Sequence, residues 1–197
     1  MNLESLGAII RAIRDIEPSR RIIVFGSSSF LASFPNDSPS SLGVEVTIDA
    51  DIFLDPDDED VRTTLLRKLG QGRQYHLENG FYCDFVDARA DGWFPRGWKR
   101  RLIPFNGFHQ VFAMRASDVA AAKLAATAHS RVDVRMARRE HDRGMKDIET
   151  VVALLSAGHL NDFEITESIR SIEMEPAYIS ELAVIFEDVQ RLVRKHD

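Results

Sequence analysis

Two aspartates one residue apart, Asp49 and Asp51, are the side chains in this sequence best placed to do chemistry. They lie in the segment 44–54, where Val44, Val46, Ile48, Ala50, Ile52 and Leu54 alternate with Glu45, Thr47, Asp49, Asp51 and Phe53. A period of two is the pattern of a β-strand. It sends both carboxylates to one face, with Cα atoms about 6.5–7 Å apart. From there their oxygens can lean together onto a hard cation. Mg²⁺ takes one or two carboxylates and fills its remaining positions with water and substrate phosphates. A third carboxylate would let two ions clamp the entering and leaving oxygens of an in-line displacement. Solvent-facing acids on a strand need no function, so the surrounding residues must decide.

The upstream residues favour phosphate chemistry. Ile22 to Phe25 is a short, continuously apolar run, as in a buried strand, and Gly26 stops it. Gly26, Ser27 and Ser28 then form a turn or open a helix. A glycine lets backbone approach a phosphate closely, and exposed N–H groups and serine hydroxyls can bind its oxygens. A plain strand-to-helix turn capped by serine would look the same, but here it precedes a strand with paired acids.

The elements that must hold these residues can be read along the chain. Leu3, Leu6, Ile9, Ile10, Ile13 and Ile16 recur at helical spacing, and Pro18 ends that helix. Phe30 to Ala32 starts a short helix, and residues 35–43 are a turn-rich loop. After Pro56, the acids at 57–60 open a helix that runs through Val61, Leu65, Leu66 and Leu69 to Gly70. Tyr75–Leu77 and Phe81–Val86 flank Glu78-Asn79-Gly80, which predicts a hairpin with Asn-Gly at its turn. A second hairpin is predicted around Asn106-Gly107, pairing 102–105 with 110–114. From Ser117, read as an N-cap, the pattern is helical. The polar, basic stretch 129–143 reads as a loop or a partly exposed helix. Helices follow at 146–157, closed by Gly158, and at 166–172 and 177–195. The expected fold is α/β (α+β), with a mixed sheet flanked by helices over 1–115 and a helical part over 116–197.

Bulk properties narrow the function classes. The chain has 197 residues, 44% hydrophobic and 28% charged, as in an ordinary globular protein. No apolar run approaches the ~18–20 residues of a membrane span. The start of the chain lacks a signal-peptide core, and the single cysteine, Cys83, has no intramolecular partner. A cytoplasmic protein without membrane attachment is expected. The net charge of −6 argues against bulk coating of nucleic acid. Local basic stretches remain, with Arg89, Arg96, Lys99, Arg100 and Arg101 in 89–101 and Arg131, Arg135, Arg138, Arg139, Arg143 and Lys146 in 131–146. Each is either a solvated face or a phosphate-facing surface.

The motifs together resemble a family. Strand–Gly-Ser followed by Thr-x-Asp-x-Asp on the next long strand, here VFGSS at 24–28 and TIDADIF at 47–53, is the pattern of the DNA polymerase beta-like nucleotidyltransferase superfamily. The chain is most similar to the branch of nucleotidyltransferase-type toxins of abortive-infection (type IV) toxin–antitoxin systems and their bacterial relatives. GFYCDFVDARADGWFPRGWKRRL at 80–102, RASDVAAAKLAA at 115–126 and KDIETVVALL at 146–155 carry that likeness, which covers about residues 20–160.

The resemblance implies a Mg²⁺-dependent transfer of a nucleoside monophosphate from an NTP to a hydroxyl of a tRNA, a protein or a small molecule. It implies an antitoxin partner as well. Residue by residue, it makes Gly26 and Ser27 the triphosphate-binding turn, with Ser28 assisting. Asp49 and Asp51 become metal ligands, Asp84 the third carboxylate with Asp87 as its rival, Lys123 a nucleotide contact and Asp147 a catalytic aid. The plainer readings are a Lys123 that snorkels from its helix and an Asp147 that serves as an acid at a helix N-terminus. The chain departs from the pattern in the long 35–43 insertion and in Glu45, where relatives often carry arginine.

Other constellations are weaker. The six histidines show no zinc spacing with the one cysteine, Gly-x-Ser-x-Gly is absent, and Gly70-x-Gly72 precedes no phosphate-loop lysine motif. Trp93 and Trp98 could stack a base or simply anchor their loop. Two readings outside catalysis stay open. One is an inactive relative that binds nucleotide or a partner protein. The other is an interaction protein acting through its helical C-terminal part.

Overall fold

The computed structural model describes residues 1–44, 47–132 and 137–196. Helix α1 (Leu3–Ile16) starts where the Asn2 side chain accepts the Ser5 N–H at 2.8 Å, and it buries Leu6, Ile9, Ile10 and Ile13. Strand β1 (Arg21–Phe25) follows, then the short α2 (Ser29–Ser33). Strand β2 (Asp49–Asp55) leads into α3 (Glu59–Leu69), capped by the Asp58 carboxylate. Next come α4 (Gln74–Asn79), β3 (Tyr82–Val86), β4 (Ile103–Pro104) and β5 (Val111–Ala113). Four helices complete the chain: α5 (Ala116–Val132), α6 (Ala137–Ser156), α7 (Asp162–Arg170) and α8 (Pro176–His196). The fold is thus mixed α/β with a helical C-terminal part.

The five strands form one sheet in the order β3-β2-β1-β5-β4. Strand β1 runs antiparallel to β2 and parallel to β5, β3 runs parallel to β2, and β4 pairs antiparallel with β5. Two compact units divide the chain. One comprises Met1–Ser40, Val44–Ala90 and Lys99–Arg115 and holds the sheet. The other comprises Ser41–Gly43, Asp91–Trp98 and Ala116–Asp197, with α5 packed against α6, α7 and α8. The segment 91–98, which starts within a 3-10 helix over Ala88–Trp93, therefore belongs with the helices.

Several expectations need correction. The first predicted hairpin does not form, because Gln74–Asn79 is a helix. Gly80 adopts φ 76 as its left-handed C-cap, a conformation that suits Asn-Gly at a helix end as well as at a hairpin turn. Leu77, expected in a strand, is 77% exposed. Strand β2 starts at Asp49, later than the alternation suggested, and Glu45 and Val46 lie outside the described residues. Ahead of that start the pattern inverts, so Thr47 is buried and Ile48 is 46% exposed. Helix α5 starts at Ala116, which places Ser117 inside the first turn instead of at the cap. Its buried hydroxyl has no hydrogen-bond partner among the described residues. Of the stretch 129–143, residues 129–132 end α5 and 137–143 begin α6, while 133–136 lie outside the described residues. No described helix is long and apolar enough to cross a membrane.

Candidate functional site

The site is built by strand pairing. In the parallel ladder of β2 and β3, Asp51 sits directly opposite Asp84, and Asp49 opposite Tyr82. Paired residues share a sheet face and adjacent strands lie about 4.8 Å apart, so Asp49, Asp51 and Asp84 project together. One ligand oxygen from each lies within 4.8 Å of the other two. Oxygens on opposite sides of a magnesium ion bound at about 2.1 Å are about 4.2 Å apart. Oxygens on neighbouring positions are about 3.0 Å apart, so the three carboxylates need only side-chain rotation to share one ion, and the donor set fits a hard divalent cation.

The other face of β2 anchors it. Ala50, Ile52 and Leu54 are fully buried. The acidic face is not wholly open to solvent. Phe53 lies on it, 2% exposed, with the Lys99 ammonium 4.8 Å from its ring centroid. Lys99 thus brings a cation to the face that carries the acids. In the sequence it was only one base in a basic run.

The glycine turn meets the acids. In the antiparallel pairing of β1 with β2, Phe25 faces Asp51, so Gly26 continues past that carboxylate. Gly26 has φ +63, and a Cβ there would stand 2.1 Å from Asp51 Oδ2 and 3.1 Å from its Cγ. Only glycine leaves room for the carboxylate at that point.

The three serines after it differ in placement. Ser28 is buried and its hydroxyl donates to the Phe25 carbonyl at 3.2 Å. Ser29, also buried, donates to the Gly26 carbonyl at 2.7 Å. Both hydroxyls tighten the turn, whereas Ser27 keeps partial exposure.

Asp87 lies beyond the end of β3 and is held elsewhere. Arg89 donates to it from Nε at 3.0 Å and from Nη2, and the Arg89 backbone N–H donates at 2.8 Å. These bonds hold its carboxyl down to about 2. Cys83, next to Asp84, faces the core. Burial pushes its thiol well above the ordinary range and the Asp84 charge adds to the effect, so it offers no nucleophile.

In the helical unit, Lys123 on α5 and Asp147 on α6 form an ion pair, Nζ to Oδ1 at 2.5 Å, with side chains only 15% and 11% exposed. Lys123 does not snorkel to solvent. Asp147 is not an N-terminal acid either, because α6 begins ten residues earlier, at Ala137. Gly144 lets the helices close there, since a Cβ at that position would stand 3.1 Å from the Thr127 methyl.

Compared with protein-family models, curated proteins and solved structures, the chain matches none of them.

Proposed function

We propose that this protein is a Mg²⁺-dependent nucleotidyltransferase that moves a nucleoside monophosphate from an NTP to a hydroxyl acceptor. The observation that carries the reading is the gathering of Asp49, Asp51 and Asp84 beside a glycine that touches one of them. Asp49, Asp51 and Asp84 would hold the metal. The ion supplies charge neutralisation on the triphosphate as negative charge shifts toward the leaving group. The Gly26-Ser27 turn receives the triphosphate against backbone. The acceptor oxygen forms a bond to the α-phosphorus, the α–β bridging P–O bond breaks, pyrophosphate departs, and the hydroxyl proton passes to solvent. Positioning and fixed charge do most of the work.

Lys123 and Asp147 support each other across α5 and α6, and their role in nucleotide handling is part of the same proposal. The family resemblance of the motifs supports assignment to the toxin branch, with an antitoxin partner and a tRNA or protein acceptor. The lone, buried Cys83 and the absence of a spanning helix among the described residues fit a cytoplasmic setting.

The test is incubation of the protein with each α-labelled NTP, Mg²⁺ and total tRNA or cell lysate. Label should move to an acceptor and fall to background in the Asp49→Ala, Asp51→Ala double variant. Transfer that survives in that variant refutes the assigned site. Mg²⁺-dependent NTP binding without transfer to any acceptor points to a non-catalytic relative.

A further inference from the structure

We infer that the helical unit carries a second ligand site, a cavity shaped for a compact organic cation of the alkylammonium type. The cavity has a volume of about 260 Å³. Its walls come from three stretches of one compact unit: Gly92-Trp93 at the end of the 3-10 helix Ala88–Trp93, α5 at Ala125 and His129, and residues 172–178 leading into α8. A backbone hydrogen bond from Arg96 N–H to the Ser171 carbonyl, 3.0 Å, ties the residues after Trp93 to the end of α7, just ahead of that last stretch.

Three aromatic residues line the space. His129 stacks on Tyr178 with centroids 4.3 Å apart and planes 9° apart, and Trp93 and His129 meet edge to face at 4.7 Å and 69°. Trp93 is 49% exposed, which is unusual for so large an apolar side chain and leaves ring surface available to a ligand.

Geometry and charge select the ligand class. His129 and Tyr178 are already in contact, and Trp93 stands across them. No pair of parallel faces is therefore left open for a nucleobase to enter. A rounded cation needs only ring faces from several directions, whose quadrupoles attract it. Two acids, Glu173 and Glu175, stand at the cavity. Glu173 already attracts the Arg96 guanidinium, and Arg131 pairs with Glu181 at 3.1 Å. Among the described residues, no basic side chain forms an ion pair with Glu175. The volume lies below the roughly 300–1,000 Å³ of pockets for drug-sized ligands. The Glu175 carboxylate would repel a phosphate carried next to the ammonium. The occupant is thus a free small cation, neither a nucleotide nor a phospholipid headgroup.

Calorimetric titration of the full chain at constant ionic strength tests this with three probes: choline, its neutral isostere 3,3-dimethylbutan-1-ol, and adenosine. Choline should bind saturably and the other two should not. Trp93→Leu and Tyr178→Leu should each weaken choline roughly tenfold, and Glu175→Gln roughly threefold, with unfolding midpoints confirming folded protein. Trp93 and Glu175 are exposed, so at least those variants should keep the fold. Equal binding of the neutral isostere, binding of adenosine in place of choline, absence of choline binding, or choline binding indifferent to Trp93→Leu would each overturn the inference. None of these results depends on nucleotidyl transfer.

Discussion

Replacing Gly26 with alanine probes the contact on which the proposed chemistry turns. The new Cβ would stand 2.1 Å from Asp51 Oδ2, where ordinary contact begins at 3.4 Å, so the carboxylate must retreat by more than an ångström. Metal sites tolerate about 0.2 Å in ligand distance, so Asp51 would leave the shared position with Asp49 and Asp84. The backbone pays as well, because φ +63 costs a residue with a Cβ about 1–2 kcal/mol. For a chain of this length that lowers the unfolding midpoint by roughly 2–8 °C. Gly80→Ala separates the two effects. Gly80 has φ +76 and no atom within 4 Å of where an alanine methyl would lie, so it incurs the strain without the collision.

The assay is thermal unfolding with and without Mg²⁺ near a hundred times its dissociation constant, where binding adds about 2.7 kcal/mol to the wild type. The midpoint should rise with Mg²⁺ by roughly 5–10 °C in the wild type and in Gly80→Ala. It should not move in Gly26→Ala or in Asp51→Asn. A Gly26→Ala protein that keeps the full Mg²⁺ shift would refute the reasoning, since Asp51 would then not be the ligand that the glycine makes room for.

Two further outcomes concern stability. Lys123→Ala leaves the Asp147 carboxylate buried without its cation, a loss of about 3–5 kcal/mol, and the double variant Lys123→Met, Asp147→Leu should recover most of it; equilibrium urea unfolding of the three proteins checks this. Asp57 is partly buried, which raises its carboxyl pKa, but hydrogen bonds from Arg62 and from the Ala88 N–H at 3.0 Å outweigh that and leave it below its ordinary value. Its contribution is therefore complete above its unfolded pKa of about 3.9 and disappears as pH falls through the lower folded value. Asp57→Asn should flatten the acid limb of a stability–pH curve below about pH 4 relative to wild type; an unchanged limb would dismiss the assignment.

Local pattern was enough for the elements whose signal is periodic. The apolar stripe of α1, the buried run of β1 and the paired acids of β2 follow from spacing alone, because side chains on a regular backbone repeat with fixed angles. Where one dipeptide serves two structures, spacing fails. Asn79-Gly80 supplies the left-handed residue that a hairpin turn and a helix end both need, and only packing distinguishes them. The inversion at Thr47 and Ile48 was hidden for a related reason. An alternating pattern does not show where the ladder begins, and this one begins at Asp49. The family resemblance puts Asp84 ahead of Asp87, but that Asp84 lies opposite Asp51 while Arg89 clasps Asp87 depends on the register against β2, which no local pattern encodes. The meeting of Lys123 and Asp147 depends on how α5 and α6 pack, which no local signal encodes.

The opposition of Asp51 and Asp84 across the β2–β3 ladder bears on how the protein can change over evolutionary time. A single-residue slip of β3 would bring Cys83 or Phe85 opposite Asp51 and turn Asp84 to the reverse side of the sheet. Length changes in the connector between Gly70 and Phe81 would be absorbed by solvent-facing backbone, whereas one residue gained or lost inside 82–86 would dismantle the acid trio at a stroke. Descendants of this chain can be expected to vary freely in the first segment and to hold a fixed count in the second.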